Sequence, residues 1–201
     1  MDDARARQTV YPIIVLLGLL VTAGCTTNYK VDTKSAVDYG AWDKLDLAVQ
    51  LQLSDEFSDY TWEHKTGLGD TFRMKLGPAL SNNAEALAKG LFRDAVVSRG
   101  AAGGVDGVLT PRVVSVERAM GATALSDMKT IIDLEWALTD RQGKLIWVDT
   151  LQGVGEAKTG NIFSHKSEAR KQGNRAIGDV FRKSAEAITG SREVRAFVDS
   201  R

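Results

Sequence analysis

The sequence predicts an α+β fold, a two-layer sandwich in which a mostly antiparallel sheet carries two amphipathic helices on one face. Three observations predict it. Leu45 to Leu53, Phe72 to Leu76 and Met128 to Leu138 alternate apolar with polar residues, as half-buried strands do. Two longer stretches, Pro78 to Ser98 and His165 to Gly190, repeat apolar residues at spacings of three and four, which is the helical period. The strands follow one another through short turns, so local antiparallel pairing with the helices gathered on one face is the simplest arrangement.

Residues 1–24 read as a signal peptide. The run VYPIIVLLGLLVTAGC, Val10 to Cys25, is almost wholly apolar and follows the polar segment MDDARARQT. It falls short of the roughly 20 residues that cross a bilayer as a helix and matches the apolar core of a secretory leader with small residues at its end. Arg5 and Arg7 supply the basic character ahead of it, offset by Asp2 and Asp3. Thr22, Ala23 and Gly24 then lead directly into Cys25. This run resembles the lipobox of bacterial lipoproteins, with Thr22 where leucine is usual. There, signal peptidase II cuts before a cysteine whose thiol already bears a diacylglyceryl group. The resemblance implies lipidation of Cys25 by palmitate-type chains. Cys25 is the only cysteine, so it forms no internal disulfide, and a lone thiol is a liability in an oxidising compartment. Two or more acyl chains anchor stably, each buried methylene contributing about 0.8 kcal/mol.

Basic and acidic residues balance at 26 each. Zero net charge gives no support for nucleic acid, or for strongly anionic lipid, as a partner. Two histidines, His64 and His165, leave little material for a metal cluster, and no cofactor is expected. The mature chain is long enough for one domain with a sizeable core. It divides into the lipidated cysteine with a polar tether (25–43), a single α+β domain (44–190) and a C-terminal tail (191–201).

Taken in order, TTNYKVDTKSAVDYGAWD shows no periodicity and reads as a tether. Leu45 to Leu53 is the first strand. DEFSDYTWEHKTGLG contains a candidate second strand before a turn at Gly67 to Gly69, and DTFRMKLG is a third, with Arg73 and Lys75 opposite Phe72, Met74 and Leu76. Gly77 and Pro78 lead into the first helix, where Pro78 suits the first turn and mid-helix Gly90 points to close packing. RGAAGGVDG is a loop without the GK[ST] or GxGxxG order of a phosphate site. VLTPRVVSVE is a strand that Pro111 places at an edge or bulge. A long hairpin follows, turning at Asp140 to Lys144 with Gly143 supplying a positive φ. Thr130, Ile132, Leu134, Trp136 and Leu138 share one face of its first strand. Both faces of the return strand carry apolar residues, which suggests a central, doubly covered position. The last helix presents Lys166, Arg170, Lys171, Arg175, Arg182 and Lys183 outward, with Gly190 as its C-cap.

No active site emerges. No serine sits in a GxSxG elbow and no cysteine is available as a nucleophile. Glu63–His64 lacks the HExxH spacing. Asp133 and Glu135 share a strand face, where cross-strand charge pairing is a plainer use than a catalytic pair. The protein is expected not to be an enzyme. Trp42, Tyr60 and Trp62 are the candidate partner contacts, and equally candidates for the core.

FRMKLGPALSNNAEALAKGLFRDAV (Phe72 to Val96) and LEWALTDRQGKLIWVDTLQGVG (Leu134 to Gly155) resemble the strand–glycine–helix and following hairpin of small periplasm-facing lipoproteins that assist envelope machinery. Gly77, Leu80, Leu91, Phe92, Asp140, Gly143, Trp147 and Gly153 carry the likeness. The resemblance implies a non-enzymatic, lipid-anchored protein, an accessory or scaffold subunit of a transport or assembly complex, with other envelope proteins as partners and homo-oligomers allowed. Thr26 after the cysteine, in place of aspartate, implies the periplasmic face of the outer membrane. The alternative is a module binding a lipid or cell-wall component in a groove lined by Trp136 and Trp147.

Overall fold

Leu47, Val49 and Leu51 are fully buried, and they anchor β2 (Leu45–Gln52) inside a five-stranded sheet. The computed structural model describes residues 26–34, 37–65, 70–98, 104–119, 128–157 and 165–201. Its strands are β1 (Thr26–Lys30), β2, β3 (Thr61–Lys65), β4 (Thr71–Lys75), β5 (Phe92–Ser98), β6 (Gly107–Ala119), β7 (Met128–Asp140) and β8 (Leu145–Ala157). The helices are α1 (Asp55–Ser58), α2 (Gly77–Leu91), α3 (His165–Gly190) and α4 (Arg192–Asp199). The large sheet has the order β5-β2-β6-β7-β8, and a small one has the order β1-β4-β3. The result is an α+β sandwich.

The sheets are mixed. The long ladders, β6 with β7 and β7 with β8, are antiparallel, as is β3 with β4. β1 with β4, and β2 with both β5 and β6, are parallel. β5 can run parallel to β2 because α1, β3, β4 and α2 intervene, a crossover long enough to bring the chain back in the same direction.

α3 lies on the inner face of β7 and β8, with Ile177, Val180, Phe181 and Ile188 buried there. Glycines make that approach close. A Cβ at Gly153 would fall 2.3 Å from the Ala176 carbonyl oxygen, and one at Gly155 would fall 1.9 Å from that of Gln172. Gly173 on α3 in turn admits Val31 and Met74, whose side chains would meet its Cβ at 2.7 and 3.3 Å. The small sheet thereby joins the same core.

Several elements differ from the sequence expectations. The first helix ends at Leu91, and Phe92–Ser98 is a strand. The helical spacing of Ala95 and Val96 was coincidental, and the β-branched pair Val96–Val97 extends alongside β2. The segment read as a tether contributes β1, in which Tyr29 is buried, and a 3-10 turn at Tyr39–Ala41. A Cβ at Gly90 would lie 2.4 Å from Tyr39 Cβ, so that glycine receives the turn. The tail holds α4, capped by the Ser191 hydroxyl and buried through Val194 and Phe197. Gly190 stays within α3 and has no positive φ, whereas Gly143 in the hairpin has φ +80. β6 is the middle strand, but its ladder with β2 ends at Leu109, so Pro111 two residues later forfeits no bond to β2. β8 is an edge strand, not a central one. The expected turn at Gly67 to Gly69 lies outside the described residues.

Candidate functional site

Cys25 and the leader lie outside the described residues. Thr26, the next residue, already pairs with Thr71 as the first position of β1. Successive Cα atoms are about 3.8 Å apart, so the fold starts within one residue of the predicted lipid attachment. Among the described residues no helix is long and apolar enough to cross a membrane.

The three candidate contact residues are all half-buried and packed against the core. Trp42 tilts against buried Tyr39, ring centroids 5.9 Å apart. Trp62 stacks on His64 at 5.9 Å with an interplanar angle of 6°. It lies on β3, whereas Tyr60 precedes that strand and accepts bonds from the N–H groups of Leu76 and Gly77 at its carbonyl, at 3.0 and 2.9 Å. Burial, and then the Glu56 carboxylate, push the Tyr60 phenol above its ordinary value. Ser54, Glu56, Phe57, Tyr60, Arg112 and Val113 enclose a space of about 10 Å³, enough for roughly one water. Tyr60 and Trp62 therefore share one end of the small sheet, and Trp42 belongs to the separate Tyr39 turn.

The groove of the alternative reading, lined by Trp136 and Trp147, does not form. Trp136 is fully buried, meets Phe181 edge to face at 5.9 Å and donates its indole N–H to Ser184 at 2.8 Å. Trp147 is 8% exposed. Both belong to the core. Asp133 and Glu135 take up cross-strand bonds: Asp133 accepts from Ser115 and Gln152, and Glu135 accepts two bonds from Arg112 at 3.1 Å.

An open groove of about 520 Å³ lies elsewhere, between the hairpin turn and α4. Phe197, Leu145, Ile146 and Ala196 give it apolar surface, and Asp140, Lys144, Glu193 and Arg201 stand around it. Beside it, Asp106 collects the Ala48 N–H at 2.9 Å and Arg141 at 2.7 Å, with Arg93 at 3.5 Å and Arg201 at 3.8 Å. The Ala48 N–H first, then Arg141 and Arg201, hold its carboxyl below the ordinary aspartate range despite burial. Arg201 also donates to the Asp106 carbonyl at 2.8 Å and lies 4.3 Å over the Phe197 ring. Arg201 thus links the groove to Asp106.

Three of the six basic residues predicted along the last helix are matched by acids on the same helix. Lys171 pairs with Glu168, Arg182 with Asp179 and Glu186, and Lys183 with Asp179. Among the described residues no group of three or more His, Cys, Asp or Glu could hold a metal ion.

The architecture recurs among solved structures. A Xanthomonas campestris protein of the family model DUF330 superposes with a TM-score of 0.55 at 12% identity, over 84% of this chain and 99% of that one. At that identity the likeness shows the fold alone. A minor lipoprotein from Acinetobacter baumannii gives a TM-score of 0.46 at 15% identity, over 75% of this chain and 96% of that one. PelC from Paraburkholderia phytofirmans, described as a dodecamer, gives 0.35 at 13%, over 74% and 92%. No family model matches the sequence, and no curated protein matches it significantly.

The sequence reading missed the groove and the arginines around Asp106. Arg93, Arg141 and Arg201 are far apart in the chain, and only the parallel return of β5 beside β2 and the folding back of α4 bring them together. The one local hint was Phe197, spaced three residues from Val194 in the supposed tail.

Proposed function

We propose that this chain is a lipid-anchored protein of the bacterial envelope, an accessory or scaffold subunit of a transport or assembly complex that works by binding and not by catalysis. The supporting observation is the run Thr22-Ala23-Gly24-Cys25 joined without a spacer to a folded strand at Thr26. A domain that begins at its anchor stays at the membrane surface, where it meets membrane-embedded partners in a limited set of orientations. Thr26 following the cysteine favours the periplasmic face of the outer membrane. Tyr60 and Trp62 offer a partner half-exposed aromatic surface at the small sheet, and Trp42 does so at the separate Tyr39 turn.

Crosslinking in intact cells, followed by recovery from solubilised membranes, tests the reading. The expected result is a heteromeric adduct that Trp62→Ala weakens without changing the melting temperature by more than a few degrees. Recovery of the protein alone across several crosslinker lengths contradicts it.

The open groove favours a second reading, a module that binds a small lipid or cell-wall component between Phe197 and Leu145. Native mass spectrometry of protein purified from its own envelope separates the two. A bound molecule lost on Phe197→Ala supports the second reading, and a bare chain counts against it.

A further inference from the structure

We propose that the outer face of the β1-β4-β3 sheet is a basic platform that lies against anionic phospholipid headgroups. Strand register puts nine residues on this face in three rows: Thr26, Thr71 and Lys65; Asn28, Arg73 and Glu63; Lys30, Lys75 and Thr61. Four are cations and one is a carboxylate. The opposite face carries Tyr29 and Met74 into the core, so the cations are held outward by the alternation of the strands.

Their environment differs from that of the cations on α3. Glu63 bonds Arg73 at 2.7 Å and lies 3.9 Å from Lys65, so the single acid of the face is shared. Lys30 and Lys75 are register partners on adjacent parallel strands, and neither has an ion pair among the described residues. Like charges side by side across a ladder oppose folding. An anion from outside the chain reverses the sign of that contact.

Position supplies the rest. Thr26, at the end of the outermost row, follows Cys25 directly. At about 3.3 Å per residue, Lys30 lies within roughly 17 Å of the anchor position, and Lys65 shares Thr26's row two strands away. The whole-chain balance of 26 basic and 26 acidic residues conceals this segregation. The neutrality of the whole chain is therefore no guide to the charge of this face.

The proposal builds on the anchored reading, but its test does not need the anchor. Residues 25–201 with Cys25→Ser, which include every described element, are incubated with phosphatidylglycerol or phosphatidylcholine vesicles and sedimented at low salt. Each cation near such a surface is worth about fivefold in partitioning. Binding to phosphatidylglycerol is expected to exceed binding to phosphatidylcholine by more than tenfold, and to fall in 0.5 M salt. Lys30→Gln with Lys75→Gln is expected to lower it roughly 25-fold while the melting temperature holds or rises. Equal partitioning to the two lipids, or wild-type binding by the double variant, overturns the platform. Either result leaves the state of Cys25 to be read separately by mass spectrometry, so failure here and failure of the anchor are distinguishable.

Discussion

The indole N–H of Trp136 donates to the hydroxyl of Ser184 at 2.8 Å, and that hydroxyl donates onward to the Val180 carbonyl at 2.7 Å. Both side chains are fully buried. The relay lets the largest core residue of β7 sit under α3 with its polar atom satisfied. Ser184→Ala strands the N–H, at a cost of about 1–3 kcal/mol, offset by about 0.5 kcal/mol from alanine's better helix propensity. Urea unfolding followed by tryptophan fluorescence is expected to show a lower midpoint with an unchanged slope.

Gly155 and Gly143 are glycines for different reasons, and alanine separates them. At Gly143 the φ of +80 is the difficulty, and among the described residues nothing stands within 4 Å of a new Cβ. Gly143→Ala is expected to cost about 1 kcal/mol. At Gly155 a Cβ meets the backbone of Gln172 and Ala176, so α3 must lift from the sheet, and the expected loss is about 3 kcal/mol or more. Thermal melts of the two variants are expected to rank in that order.

Gln172 is fully buried, and among the described residues neither its side-chain oxygen nor its nitrogen has a hydrogen-bond partner. Replacing an unsatisfied buried amide with an apolar group of similar size removes a desolvation cost. Gln172→Leu is expected to raise stability by about 1 kcal/mol in chemical denaturation. A loss of similar size would mean that the amide has a stabilising partner.

Stability should fall in acid because Asp106 and Asp179 titrate lower in the folded chain. For Asp106 the Ala48 N–H is the largest cause, joined by Arg141 and Arg201. For Asp179, burial pushes upward but is outweighed by bonds from Lys183, the Val154 N–H and Arg182. The unfolded chain then takes up protons first. The stabilisation is complete above the ordinary aspartate value near 4 and is lost as pH falls through the folded values. Unfolding free energy measured from pH 7 downward is expected to drop most steeply below about pH 4, and Asp106→Asn is expected to flatten that drop.

What could be read from the sequence was what neighbours in the chain decide. The β7–β8 hairpin was legible because Ile132, Leu134, Trp136 and Leu138 alternate over a long run and Gly143 marks the turn. α3 was legible because Ala176, Ile177, Val180, Phe181, Ala185 and Ile188 recur at helical spacing. β1 was not, because TTNYK buries a single residue, Tyr29, and a strand with one buried residue shows no period. β5 was not, because its first residues continue the helical spacing of α2, and the parallel pairing with β2 that settles its conformation is a long-range contact. The candidate surfaces were the least legible. Lys30 and Lys75 are 45 positions apart in the chain and become neighbours only through register.

The most direct test of the account is mass spectrometry of the intact protein from its own envelope. The account predicts a chain beginning at Cys25, heavier than its sequence by a diacylglyceryl group and further acylation. A chain that keeps residues 1–24 and carries Cys25 as a free thiol would contradict it.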